Sequence, residues 1–215
     1  MATPQEIEIK FIVPDLKALA RKLEELGFKC ETPSTREINT LFDLPGQKLR
    51  RKGEILRLRK YGERWKLTHK AKGKAGRHKS RAESETVVSD GRQMDNVLRA
   101  LGFSPSFTYE KFRSEWSDGE GQVVLDHTPI GDIAEIEGKS RWIDRAARAL
   151  GVDSKNYITK SYGELFLDWK RSTRCKAMNM TFRECGECMK AVKKSATQTR
   201  TRASSSGRRS RSRTP

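Results

Sequence analysis

No stretch of 18 apolar residues occurs in this 215-residue chain, which excludes a membrane-spanning helix. The first residues show no basic region followed by an apolar one, so no secretory signal is expected. Cysteine is scarce: there are four, and three of them fall between positions 175 and 188. That is too few and too clustered for the disulfide framework of a small secreted domain. The spacing Cys185-Gly186-Glu187-Cys188, with Cys175 ten residues upstream of Cys185, supplies three thiols and no nearby histidine. It falls one ligand short of a tetrahedral zinc site, and reduced free thiols are expected. Histidine numbers only three and aromatic residues make up 7% of the chain. These absences describe a soluble, cytoplasmic protein.

Charge is what the chain has in abundance. Charged residues account for 34%, the same share as hydrophobic ones, and the formal net charge is +17. Residues 172–215 hold twelve Lys or Arg against two Glu, so +10 belongs to that segment and +7 to the rest. The closing run SSSGRRSRSRTP, with the Ser-, Thr- and Arg-rich stretch before it, cannot bury a core and is expected to be disordered. The organisation expected is a folded domain over 1–171 followed by a basic, Cys-containing tail over 172–215. Such a tail suits nonspecific contact with nucleic acid or polyphosphate through counterion release.

Within the first 171 residues three segments repeat one plan, a charged strand followed by an amphipathic helix that ends in Leu-Gly or nearby. Glu6 to Lys10 precedes a helix with Leu16, Leu19, Leu23 and Leu26 on one face, and Gly27 follows. Pro14 suits the first helical turn. Arg81 to Val88 precedes a helix carrying Met94, Val97, Leu98 and Leu101, and Ile133 to Glu137 precedes one from about Trp142 to Leu150. Between them lie further alternating runs at 55–59, 64–70, 109–116 and 122–127, about eight strands and three helices in all.

Residues two apart on a strand share a face. Glu6, Glu8 and Lys10 are therefore neighbours, as are Arg57 and Arg59, Arg81, Glu83 and Glu85, Lys111 and Arg113, and Glu135 and Glu137. Any one pair is what an ordinary solvated strand face carries. The set is different, because strand after strand presents carboxylates or cations rather than a scatter of Thr, Ser and Gln. If the strands close into a barrel, these faces line its interior, and Ile7, Ile9, Leu56, Leu58, Phe112 and Ile136 turn outward to be covered by helices. An interior of both signs is costly when empty. A polyphosphate with a divalent cation satisfies both halves, cations taking phosphate oxygens and carboxylates the hard metal.

The order of these motifs resembles the CYTH domain, the family of class IV adenylyl cyclases, thiamine triphosphatases and other triphosphate tunnel metalloenzymes. The resemblance is carried by Glu6-x-Glu8-x-Lys10, Asn39 to Asp43, Leu56 to Arg59, Trp65-Lys66, Arg81-x-Glu83-x-Glu85, Glu110-Lys111-x-Arg113, Val124 to Asp126, Ile133 to Glu137, and Lys160-Ser161-Tyr162. It implies an α+β fold, an eight-stranded antiparallel barrel with a charged tunnel and about three flanking helices. It further implies an enzyme dependent on Mg²⁺ or Mn²⁺. By motif match Lys10, Arg57, Arg59, Lys66, Lys111, Arg113 and Lys160 would hold the triphosphate. Glu6, Glu8, Glu135 and Glu137 would hold metal, with Glu83, Glu85 and Asp126 lining the same tunnel. Glu6, Glu8, Lys10 and Lys66 are the candidates for a direct part in catalysis; Lys70 and Arg81 fit the same facing geometry.

The resemblance leaves two reactions open. Water attacking the terminal phosphorus makes the protein a phosphohydrolase of inorganic, nucleoside or thiamine triphosphate. A ribose 3′-hydroxyl attacking the α-phosphorus makes it an adenylyl cyclase that releases pyrophosphate. Hydrolysis is favoured because it requires fewer specific substrate contacts. A third reading, a non-enzymatic polyphosphate or nucleic-acid binder, draws on the tail, yet the interleaved carboxylates oppose it.

Overall fold

The computed structural model describes residues 5–74 and 76–192. Eight antiparallel strands close into a barrel in the order β1-β5-β4-β3-β2-β6-β7-β8. They are β1 (Gln5–Ile12), β2 (Lys29–Asp43), β3 (Ile55–Tyr61), β4 (Arg64–Lys70), β5 (Lys79–Val88), β6 (Ser104–Ser117), β7 (Gln122–Thr128) and β8 (Gly131–Glu137). The helices are α1 (Leu16–Glu25), the short α2 (Lys48–Lys52), α3 (Gly91–Ala100), α4 (Ser140–Leu150) and α5 (Tyr162–Thr173). A further helix, α6, is described over 182–192. The barrel with its charged interior and flanking helices is the expected α+β architecture, with more helices than the three expected.

The core lies outside the barrel. Ile9, Phe11, Val123, Leu125, Ala134 and Ile136 turn outward from β1, β7 and β8 and pack with Leu23 of α1 and Trp142, Ile143 and Ala147 of α4. Leu58 and Leu67 meet Met94 and Leu98 of α3 in the same way. Period-two strands with a buried outer face thus require amphipathic helices to cover them, and the stripes on α1, α3 and α4 do so. Helix α1 begins at Leu16, after Pro14: Asp15 is its N-cap, accepting hydrogen bonds from the Lys17 and Ala18 amides.

The fit of helix on barrel is tight at Trp142, 3% exposed and donating to Asp118. A Cβ on Gly121 would stand 2.5 Å from two carbons of its ring. Gly121→Ala is expected to destabilise by about 1–3 kcal/mol through overpacking, read as a lowered denaturant midpoint with an unchanged m-value.

Beyond residue 171, part of the segment assigned to the tail packs on the barrel. Met180 is fully buried, and its backbone bonds both Thr108 and Glu110 of β6. Phe112, expected to lie beneath the three sequence-derived helices, is instead met by Phe182 of α6, ring centroids 5.6 Å apart. Two of the thiols expected to be free are not: Cys175 and Cys188 form a disulfide, whereas Cys30 and Cys185 are unbonded. The Arg/Ser-rich terminus expected to be disordered, 195–215, lies outside the described residues. No described helix is long and apolar enough to cross a membrane.

Candidate functional site

Strand alternation carries the charged positions into one cavity of about 560 Å³ inside the barrel. It brings together Glu6, Glu8, Lys10, Arg57, Arg59, Lys66, Glu83, Glu85, Lys111, Arg113, Glu135 and Glu137, with Lys70 and Arg81 among them. Strand pairing explains the grouping. Lys10 lies opposite Glu135 and Glu8 opposite Glu137 across β1–β8, while Arg59 lies opposite Lys66 across β3–β4. In the barrel order the β8–β1 seam stands across from β3, so a carboxylate-rich wall faces a cation-rich one.

Behind the lining cations Lys111 and Arg113, Asp126 is fully buried and accepts from Lys111 Nζ at 2.8 Å and from Arg113 Nε and Nη2 at 2.8 and 2.7 Å. The Tyr162 hydroxyl donates to it as well, and the Tyr162 ring lies 4.3 Å from Lys111 Nζ. Glu135 lies 3.0 Å from Arg113 Nη2, 3.7 Å from Lys10 and 3.9 Å from Lys111. Burial alone would raise Glu135, but Arg113, Lys10 and Lys111 hold its carboxyl well below the usual range. Glu37, also fully buried, accepts from Asn39 Nδ2 at 2.8 Å and lies within 4 Å of Lys111, Arg59 and Arg113. Against the effect of burial, those cations and Arg57 keep it ionised far below the usual carboxylate range.

On the β1–β5 side Lys70 bridges Glu6, at 3.0 Å, and Glu83. Burial and a hydrogen bond with Glu6 push Glu83 up to about 8. Burial opposes ionisation of Glu6 too, yet Glu83 and Lys70 bring it down to about 2. Lys10 and Lys79 both approach Glu8, at 2.7 and 3.4 Å. Glu137 makes none of the ion pairs found among the described residues, and burial together with Glu6, Glu135 and Glu8 lifts it to about 7. Across the cavity Lys66 pairs with Glu85 at 2.7 Å, and Arg57 reaches Thr68 and the Tyr109 hydroxyl at 3.3 and 3.5 Å. The buried Arg57 Nε and one oxygen of Glu37 have no hydrogen-bond partner.

Among the described residues no three His, Cys, Asp or Glu side chains already converge as metal ligands. The ammonium groups of Lys10, Lys70 and Lys79 stand between the carboxylates instead. The donor set nonetheless fits a hard divalent cation. Glu6, Glu8, Glu135 and Glu137 present only oxygen on adjoining strands, and burial, with the neighbouring carboxylates second, raises Glu137.

Two expected residues are not in the cavity lining: Asp126, expected to line the tunnel, lies fully buried behind Lys111 and Arg113, and Lys160 stands outside. Lys160 does not line the cavity; its side chain is 54% exposed and its ammonium lies 2.6 Å from Asp168. The motif does not continue a strand. Ser161 caps α5 in a reciprocal capping box with Glu164, which turns Tyr162 inward in place of Lys160. Glu37, Lys79, Tyr109 and Tyr162 are lining or buried interior residues that the sequence reading did not assign. The spacing Glu37-x-Asn39 was the available signal for the first, and Lys79 falls two positions before Arg81 on β5.

The model of the CYTH domain family matches residues 4–162. The chain is 26% identical over 171 residues to the protein named "Putative adenylate cyclase MJ0240" of Methanocaldococcus jannaschii, covering 74% of this chain and 97% of that one. Among solved structures it is similar to the PH1012 protein of Pyrococcus horikoshii, with 27% identity, a TM-score of 0.64, and 74% and 98% of the two chains covered. It is also similar in fold to "Putative adenylyl cyclase HpAC1" from Hippeastrum, to which a dominant triphosphatase activity is ascribed. There the identity is 18%, the TM-score 0.57, and coverage 76% of this chain and 95% of the other.

Proposed function

This chain belongs to the CYTH domain family, and from that premise we propose that it is a divalent-metal-dependent enzyme that binds a triphosphate in its barrel and hydrolyses the terminal phosphate. The observation that carries the reading is the division of one cavity into a carboxylate wall on β8–β1 and a cation wall on β3–β4. Arg57, Arg59 and Lys66 hold phosphate oxygens, exchanging their present partners Thr68, Asn39 and Glu85 for the ligand. Lys111 and Arg113, each already bound by Asp126, are fixed donors at the base of the cavity. Glu6, Glu8, Glu135 and Glu137 hold Mg²⁺ or Mn²⁺, whose chemistry is to withdraw charge from the oxygens of the transferring phosphoryl group. Lys10, between Glu8 and Glu135, is held above the ordinary ammonium range: burial opposes its charge, but Glu135 and Glu8 outweigh it. It is thus a permanent cation at the junction of the two walls.

Hydrolysis is preferred to cyclisation because the cavity, among its described lining residues, includes no aromatic ring free to stack on a base. Its aromatic residues, Tyr109 and Tyr162, are buried and stack on one another at 5.8 Å. The test is incubation of the full chain with inorganic triphosphate and, separately, ATP in Mg²⁺ or Mn²⁺, with products resolved by anion exchange. Orthophosphate is expected from both, with pyrophosphate as co-product from inorganic triphosphate and ADP from ATP. Cyclic AMP with pyrophosphate would contradict the hydrolase and establish the cyclase.

A further inference from the structure

Residues 174–192 lie beyond the part of the chain that the family model matches, and they are built onto the barrel by a device of their own. The disulfide joins Cys175 to Cys188 across 13 positions. It closes a loop around Met180, whose amide donates to Thr108 O at 3.0 Å and whose carbonyl accepts from the Glu110 amide at 3.1 Å. These bonds occupy the stretch of β6 that precedes its pairing with β7 at Phe112, so the loop fills an edge that β7 leaves open. The Glu110 carboxylate then accepts from the Phe182 amide at 2.8 Å, anchoring the start of α6. A third thiol, Cys185, is buried three residues before Cys188 on the same helix and takes no part in the bond.

We propose that Cys175–Cys188 is a thiol–disulfide exchange site, reduced by dithiols, and that its redox state sets how firmly the 175–188 strap is held on β6. The entry point is Cys188, half-buried where Cys175 is only 5% exposed. A dithiol's thiolate attacks Cys188 Sγ, the bond to Sγ of Cys175 breaks, and Cys175 leaves as a thiolate that takes up a proton. The reagent's second thiol then displaces Cys188, leaving two protein thiols and an oxidised cyclic reagent, two electrons and two protons transferred in all. Opening the bond removes the covalent restraint on a strap otherwise held by the Met180 backbone bonds, by Asn179 on Thr108 and Glu110 on Phe182, by Phe182 packed on Phe112, and by buried Ala177, Met180 and Cys185. None of its residues lines the cavity, and the strap packs against the outer side of the lining residues Tyr109 and Tyr162, so the proposal does not rest on the triphosphate reading.

The test uses the full wild-type chain, purified without reductant and then treated with dithiothreitol. Non-reducing digestion is expected to give one linked peptide pair, Cys175 with Cys188, with Cys30 alkylated readily and Cys185 slowly. After reduction, Cys175 and Cys188 become alkylatable. Amide exchange at Glu110 and Met180 rises severalfold, while exchange in β1 is unchanged. C188S should show the same raised exchange without reductant, and C185S should keep both the link and the response. Three or more free thiols in the unreduced chain, a Cys185–Cys188 link, stoichiometric zinc on the three thiolates, or exchange unaffected by reduction would each overturn the proposal.

Discussion

Asp126→Ala is expected to destabilise the protein by about 3 kcal/mol or more, read as a fall in denaturant midpoint. Asp126 is fully buried and takes four hydrogen bonds, one from Lys111, two from Arg113 and one from Tyr162. Removing it leaves two interior cations short of a counter-charge, and uncompensated buried charge is far more costly than loss of a surface pair. Glu37 and Glu135 remain within 4 Å of both cations, which places the effect at the lower end of the usual range for a broken buried pair. A change of less than 0.5 kcal/mol, roughly what an ordinary surface substitution gives, would mean that the base of the barrel is open to water.

The second large effect is a pH-dependent response to divalent cation. In the metal-free protein Glu137 keeps its proton to about pH 7 and Glu83 to about pH 8, whereas the unfolded chain ionises near 4.5. Between those values the folded state binds more protons, so stability is highest below the unfolded pKa and falls as pH rises through the folded one. For Glu137 a shift of that size corresponds to roughly 2–4 kcal/mol. Glu37 and Glu135, held low by cations, act with the opposite sign: their contribution is present above pH 4.5 and is lost only in acid. A cation binding these carboxylates competes with protons, so Mn²⁺ is expected to raise the melting temperature little at pH 5 and by several degrees at pH 8. Equal shifts at both pH values would place the ion elsewhere on the protein.

Much of this site was visible in the sequence because strand periodicity is simple. In Glu6-Ile7-Glu8-Ile9-Lys10 the alternation is unbroken, and the stripes of α1 and α4 downstream supply what Ile9 needs to be buried on the outside. Strand β2 conceals its contribution. Register shifts between Cys30 and Thr32 and between Thr32 and Thr35 break the period before Glu37, so its inward direction does not follow from counting along the strand. Lys160 was misplaced for a related reason: a helix cap, not a strand, decides which of 160–162 turns inward. The docking of 174–192 rests on a backbone pairing between Met180 and β6, a long-range contact that a polar, basic composition does not announce. In each case the missing information was tertiary, the identity of the neighbour rather than the propensity of the segment.

The central claim is that the barrel's charged interior is a binding site for a triphosphate together with a divalent cation. Titration of inorganic triphosphate into the full chain by calorimetry, with and without Mn²⁺, tests it most directly when wild type is compared with Arg57→Ala. Saturable one-to-one binding that requires Mn²⁺ and weakens by about tenfold or more in the variant is predicted, since Arg57 is buried in the cation wall. Binding of equal strength in wild type and Arg57→Ala, indifferent to Mn²⁺ and lost as salt rises, would contradict it and assign the anion to the basic exterior of the molecule.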